Sequence, residues 1–220
     1  MRLLAQPKVL TRAGAAALIT ALACYPRLAT WSERIHSVLF LWLMLLWAVF
    51  ILWAFVFAWQ NEYARRPVLG LDFRPKLWVA ATLCGLAWAV LLHFLTDPQL
   101  RVITPQEYPT DLNSWLAMSL FAIVFNPLFL CFAPFAFFVR LSRKVDVSVA
   151  LTVLFGVLVL YLRLHYSPVL PPAWFVVALM VLRITTGFLS VYFYLKGGAM
   201  LVWWVALILQ LRHLLDLRSS

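Results

Sequence analysis

Apolar runs at 36–59, 77–95, 115–139, 147–162, 173–195 and 199–211 alternate with short polar segments that carry most of the arginine and lysine. A run of about 20 apolar residues matches the roughly 30 Å hydrocarbon core of a bilayer, where a helix satisfies its own backbone hydrogen bonds. The pattern predicts an all-α fold, a polytopic transmembrane helical bundle of about seven helices: six strong spans and a weaker N-terminal one. The last strong span is short and is expected to continue through Leu217. The weaker run, 13–23, follows Arg2, Lys8 and Arg12 and resembles a signal peptide ending at Ala21-Leu22-Ala23-Cys24. Leu22 is bulky for a cleavage site and Tyr25-Pro26 follows it, so a retained helix over about 11–31 is the expectation. The longest connections, 60–76 and 96–114, are too short to form domains, and 1–220 reads as a single integral membrane domain.

Composition agrees: 65% of the 220 residues are hydrophobic and 12% are charged. The net charge of +10 raises the question of nucleic acid, but the basic residues sit in short clusters between apolar runs. Membrane topology explains that placement, and no nucleic-acid partner is expected. With seven crossings, eleven basic residues fall on the N-terminal side, six on the other, and Arg183 lies within a span. That bias predicts a cytoplasmic N-terminus and an outward C-terminus, in a bacterial inner membrane. Trp59, Tyr63, Trp78, Trp115, Trp174, Tyr192 and Tyr194 cluster near span ends, as interfacial anchors do.

The eight acids, Glu33, Glu62, Asp72, Asp97, Glu107, Asp111, Asp146 and Asp216, all lie in connections or near an end. Proton relays and intramembrane aspartyl proteases need an acid at bilayer depth. A zinc protease needs a helical HExxH, and His36, His93, His165 and His213 are isolated. Ser119 and Ser190 lack the glycine-flanked setting of a rhomboid-type nucleophile, and no lysine follows Lys196 to form a retinal Schiff base. Cys24, Cys84 and Cys131 are scattered in apolar runs, the pattern of small buried hydrophobes. No catalytic residue, metal or cofactor is assigned.

Two polar features remain inside spans. Asn126-Pro127, followed seven residues later by Pro134, predicts a bent fourth span whose freed carbonyls either pack or line a cavity. Arg183, eleventh residue of the 173–195 run, is too deep to reach an interface easily, and Thr186, Gly187 and Ser190 follow it. Its expected partners are the carbonyls freed near Pro127 or Pro134, the Asn126 side chain, or an anionic group from outside the chain. Arg183, Asn126 and Thr186 are the candidate ligand-binding residues, with Pro127 and Pro134 as structural kinks. Asp97-Pro98 reads as a simple turn, His93 as interfacial, and Arg212 with Asp216 as a local ion pair.

Over 115–217 the chain resembles the CPBP family of glutamic intramembrane proteases (CAAX proteases and bacteriocin-processing or Abi proteins). The similar segments are Asn126-Pro127-Leu128-Phe129 with the basic turn Arg140-Leu141-Ser142-Arg143-Lys144, then Leu154-Phe155-Gly156, then Gly187 through Gly198 with its Tyr194-Leu195-Lys196-Gly197 end. The resemblance implies that two catalytic glutamates would fall on Leu130 and Cys131, the motif arginine on Phe135 and the first histidine near Val159. His165 fits only a loose spacing after Tyr161, and Arg212 and Asp216 occupy a final His-x-x-x-Asn/Asp spacing with the histidine replaced. Leucine or cysteine cannot take over the general-base role of a carboxylate. The resemblance therefore implies a degenerate, non-proteolytic member, a pseudoenzyme.

The function expected is binding of a lipid-like or peptide ligand, or of a partner membrane protein, in an intramembrane cavity beside Arg183. Two alternatives stay open. One is an intramembrane protease or transpeptidase-like enzyme using Cys131 with Arg183 and a histidine; the other is a small-molecule transporter.

Overall fold

A computed structural model describes residues 3–31, 35–70, 73–166 and 171–217. Among them the regular structure is helical, as the apolar runs require. Pro7–Ala29 forms α1 and Ile35–Phe55 forms α2, which continues through a wide π-helical segment, Val56–Ala64. Pro75–Leu95 is α3 and the short Asp97–Ile103 is α4. Leu112–Pro127 is α5, joined by a wide turn at Leu128–Phe132 to Ala133–Ser142, α6. Val145–His165 is α7 and Ala173–Leu217 is α8.

Six of these stretches are long and apolar enough to cross a membrane. The sixth, Ala173–Leu215, has 43 residues, about 65 Å at the helical rise and twice the hydrocarbon thickness. It breaks at Gly198, whose φ of 69° and ψ of −168° are not helical, so it makes two passes. The protein is thus a helical membrane bundle with seven arms. The ends of α1, α3, α7 and α8 share one face with the start of α5, and the starts of α1, α3 and α7 share the other.

Local chemistry fixes the boundaries. Pro7 and Pro75 occupy first-turn positions, where the missing N–H costs nothing. Asp111 and Ser114 form a reciprocal capping box at the start of α5, with Ser114 N–H donating to Asp111 Oδ1 at 2.9 Å. These bonds hold the exposed Asp111 carboxyl below its usual range. The π-helical end of α2 and the end of α6 both close on an arginine in left-handed conformation, Arg65 and Arg143.

Helix α1 crosses intact through Pro26 and buries Ala13, Ala17 and Ala21 at four-residue spacing, with Cys24 beyond. This narrow face lets α2 approach closely. The indoles of α2 then bond to it: Trp42 Nε1 donates to the Ala21 carbonyl at 2.9 Å and Trp53 Nε1 to Thr20 Oγ1 at 3.0 Å. Helix α3 is tied to both arms of α8, through Trp88 to Thr186 and through Trp204 to Thr82, each at 2.9 Å. Trp115, read as an interfacial anchor near a span end, donates to the Gln210 carbonyl at 3.0 Å. The core centres on Trp53, Phe132, Tyr194 and Trp203, with Phe132 and Tyr194 stacked at 4.4 Å. Gln60, which the apolar pattern left in a connection, is fully buried in this core next to Tyr194, because the helix runs on past Trp59.

At the break in α8 two backbones meet. Ala199 N–H donates to the Val68 carbonyl at 2.8 Å and Met200 N–H to the Leu69 carbonyl at 3.3 Å. The loop after α2 thereby satisfies donors that the start of a helix leaves orphaned. A Cβ on Gly198 would lie 2.5 Å from the Gly70 nitrogen, and Gly70 also has a positive φ, 62°.

Candidate functional site

Arg183 lies ten residues into α8, about 15 Å along the axis and so near the middle of a roughly 30 Å layer. Its guanidinium rests on Gly156 of α7. Nε donates to the Gly156 carbonyl at 3.2 Å, and a Cβ at Gly156 would come within 2.8 Å of the guanidinium. The expected partners, carbonyls released near Pro127 or Pro134, are therefore not the ones used. A glycine on the facing helix lets the planar group lie on the backbone, and a helical carbonyl keeps a second lone pair for it. Among the described residues this is its one hydrogen bond, out of five N–H donors on the group.

The guanidinium also borders a cavity of about 180 Å³ between α3, α5 with the wide turn, and both arms of α8. Arg183, Asn126, Thr186 and Pro127 all line it, together with Trp88, Cys131 and Gln210. Pro134 lies past the wide turn, outside the wall. The two prolines bracket that turn, so the kink widens the helix where the cavity forms. Asn126 has an exposed side chain at the cavity wall and no hydrogen bond to the described residues. Thr186 is engaged on both sides: its hydroxyl donates to the Leu182 carbonyl at 2.7 Å and accepts from Trp88. It positions the wall rather than offering a free group.

Cys131 is 3% exposed and close to Arg183. No imidazole or carboxylate among the described residues lines the cavity, so a thiol there has no base to deprotonate it. Leu130 and Cys131, the positions matching the family's glutamates, both line the wall, whereas Phe135 is buried in the core. His165 lies at the far end of α7, stacked on Tyr161 with centroids 6.0 Å apart.

A second polar cluster was not foreseen. Asp97 opens α4 and is only 1% exposed. Arg212 Nε donates to its Oδ2 at 2.9 Å and the Tyr108 hydroxyl to its Oδ1 at 3.0 Å, with His93 Nδ1 at 3.9 Å. The simple turn read at Asp97-Pro98 is thus a buried ion pair that closes α3 onto the end of α8. Arg212 pairs with Asp97, 115 positions away in sequence; the local pair read for Arg212 and Asp216 involves a side chain, that of Asp216, outside the described residues. Burial, reinforced by the Asp97 charge, pushes the Tyr108 phenol well above its ordinary range. The signal for this cluster was weak: a loop acid looks the same in sequence whether or not it is later covered.

No family model matches the chain, and no curated protein or solved structure matches it either.

Proposed function

We propose that this protein is a non-catalytic membrane protein that holds an anionic, lipid-like ligand against Arg183 in the cavity between α3, α5 and α8. One observation carries the reading: a guanidinium at mid-membrane depth with a single hydrogen bond among the described residues, facing a cavity. A charge at that depth costs several kcal/mol and persists where something uses it. An arginine fork matches a phosphate or carboxylate, and low polarity strengthens the contact. The cavity, about 180 Å³, is smaller than the 300–1,000 Å³ typical of sites that enclose a ligand. It suits the charged end of an amphiphile whose chains lie along the outer faces of the helices. Asn126, exposed on the wall, supplies a hydrogen bond there.

Leu130 and Cys131 in the wall support a CPBP-like scaffold working without hydrolysis. Cleavage of a peptide by the purified protein would overturn that part. The basic excess on the face bearing the start of α1 supports a bacterial inner-membrane protein with a cytoplasmic N-terminus. A C-terminal alkaline phosphatase fusion should then be active, and an inactive one reverses the orientation.

The direct test is Arg183→Leu. The variant is expected to insert and purify like the parent but to lose co-purifying anionic lipid, read by mass spectrometry of the detergent-solubilised protein. A parent without such lipid, or a variant that keeps it, removes the binding role.

A further inference from the structure

We propose that a second cavity, on the face where α3, α7 and α8 end, binds a zwitterionic phosphate–ammonium group, the head of an ethanolamine phospholipid. The cavity measures about 390 Å³, and Glu107, Tyr108, Arg163 and Arg212 border it. Its floor is apolar: Leu160 and Leu164 of α7 pack with Ile103 and Leu179 in a hydrophobic cluster separate from the main core.

The polar side is held in place from behind. Arg212 is fixed by Asp97 and by its own bond to the Leu209 carbonyl at 2.6 Å. That uses two of the five donors on its guanidinium, and the group cannot swing away from the wall. Asp97 is in turn held by the Tyr108 hydroxyl, and Arg101 lies 5.1 Å from the centre of the Tyr108 ring. Across the cavity Arg163 pairs with Glu107, and both side chains are well exposed, 53% and 43%. A pair so exposed is cheap to separate.

These charges discriminate between head groups. A phosphate between Arg163 and Arg212 takes Arg163 from Glu107, leaving that carboxylate, among the described residues, only the electrostatic influence of Arg27. An ammonium on the same ligand restores a partner. A purely anionic head group leaves Glu107 without its Arg163 contact and close to the added charge, so the site favours the zwitterion by difference. The apolar floor beside it accommodates the first carbons of an acyl chain, which favours the lipid over free phosphoethanolamine.

The test uses the purified full chain in detergent, titrated with phosphatidylethanolamine, phosphatidylglycerol or soluble phosphoethanolamine and read by native mass spectrometry. With the mid-membrane cavity disabled by Arg183→Leu, the protein should retain phosphatidylethanolamine about fivefold better than phosphatidylglycerol or more. Adding Glu107→Gln should abolish that preference, and adding Arg163→Gln should weaken both lipids. Equal retention of the two lipids by Arg183→Leu, or an unchanged preference once Glu107→Gln is added, overturns the proposal. Binding of phosphoethanolamine as tight as that of its lipid overturns the lipid as occupant and leaves the zwitterion chemistry standing. Because the comparison is made without Arg183, its failure is distinguishable from failure at the mid-membrane cavity.

Discussion

Moving an arginine into the hydrocarbon layer costs several kcal/mol, and a hydrogen bond to a charged group returns about 1.5–3 kcal/mol. Arg183 has one such bond, to a carbonyl that Gly156 exposes by lacking a side chain. Gly156→Ala should therefore act on the charge without removing it. The added methyl pushes the guanidinium off its carbonyl, a loss of about 1.5–3 kcal/mol that the gain in helix propensity of about 1 kcal/mol only partly offsets, so thermal stability should fall modestly. Bound anionic lipid should fall in the same preparation. A variant that keeps both its stability and its lipid would show that Gly156 does not set the position of Arg183. The depth of Arg183 was legible in sequence, since a lone charge in an apolar run stands out. Its partner was not, because a backbone carbonyl leaves no mark in the side-chain pattern. Asn126 and Pro127 were expected beside Arg183 at a bend in the fourth span, and both line the same cavity as its guanidinium.

Most arms follow from an apolar run of bilayer length, and the first and last from the shorter runs 13–23 and 199–211, so the helices were visible before their packing was. Lys196-Gly197-Gly198 marked the boundary between the last two arms. The two wide segments were not visible. The fourth span continues through Leu128–Phe132 to Ser142, and the second runs on to Ala64, carrying Gln60 into the core. Hydropathy reports where a helix is apolar and is silent on a change in its pitch. The break at Gly198 has a sharper consequence. Its φ and ψ belong to a region populated essentially by glycine, costing other residues about 1–3 kcal/mol, and here the added Cβ meets backbone rather than side chain. Gly198→Ala should destabilise the bundle by about 2 kcal/mol or more, measured as a lower unfolding midpoint in detergent. An unchanged midpoint would mean that the contact with Gly70 is not part of the folded protein.

For the molecule as a whole, the Asp97–Arg212 pair joins helices distant in sequence at one face of the bundle. Removing one member of a buried pair strands the other, typically at about 3–5 kcal/mol. Asp97→Ala should lower stability by roughly that amount, and adding Arg212→Met should recover much of it, since well-packed apolar replacements of both partners are often tolerated. Equal losses in the single and double variants would rule out charge stranding. Membrane class was legible from run length and charge spacing alone. The closure of the α3 end onto the α8 end was not, because pairing across 115 positions is decided by tertiary assembly.

The meeting of Gly70 with Gly197 and Gly198 also bears on the order in which the protein is made. The first amides of the final arm take their acceptors from carbonyls at 68 and 69, synthesised some 130 positions earlier. Until that arm arrives, those carbonyls must be hydrated or shielded by something else. Synthesis halted just before residue 199 would leave the earlier arms in the bilayer and the bundle unlatched, a natural substrate for membrane quality control.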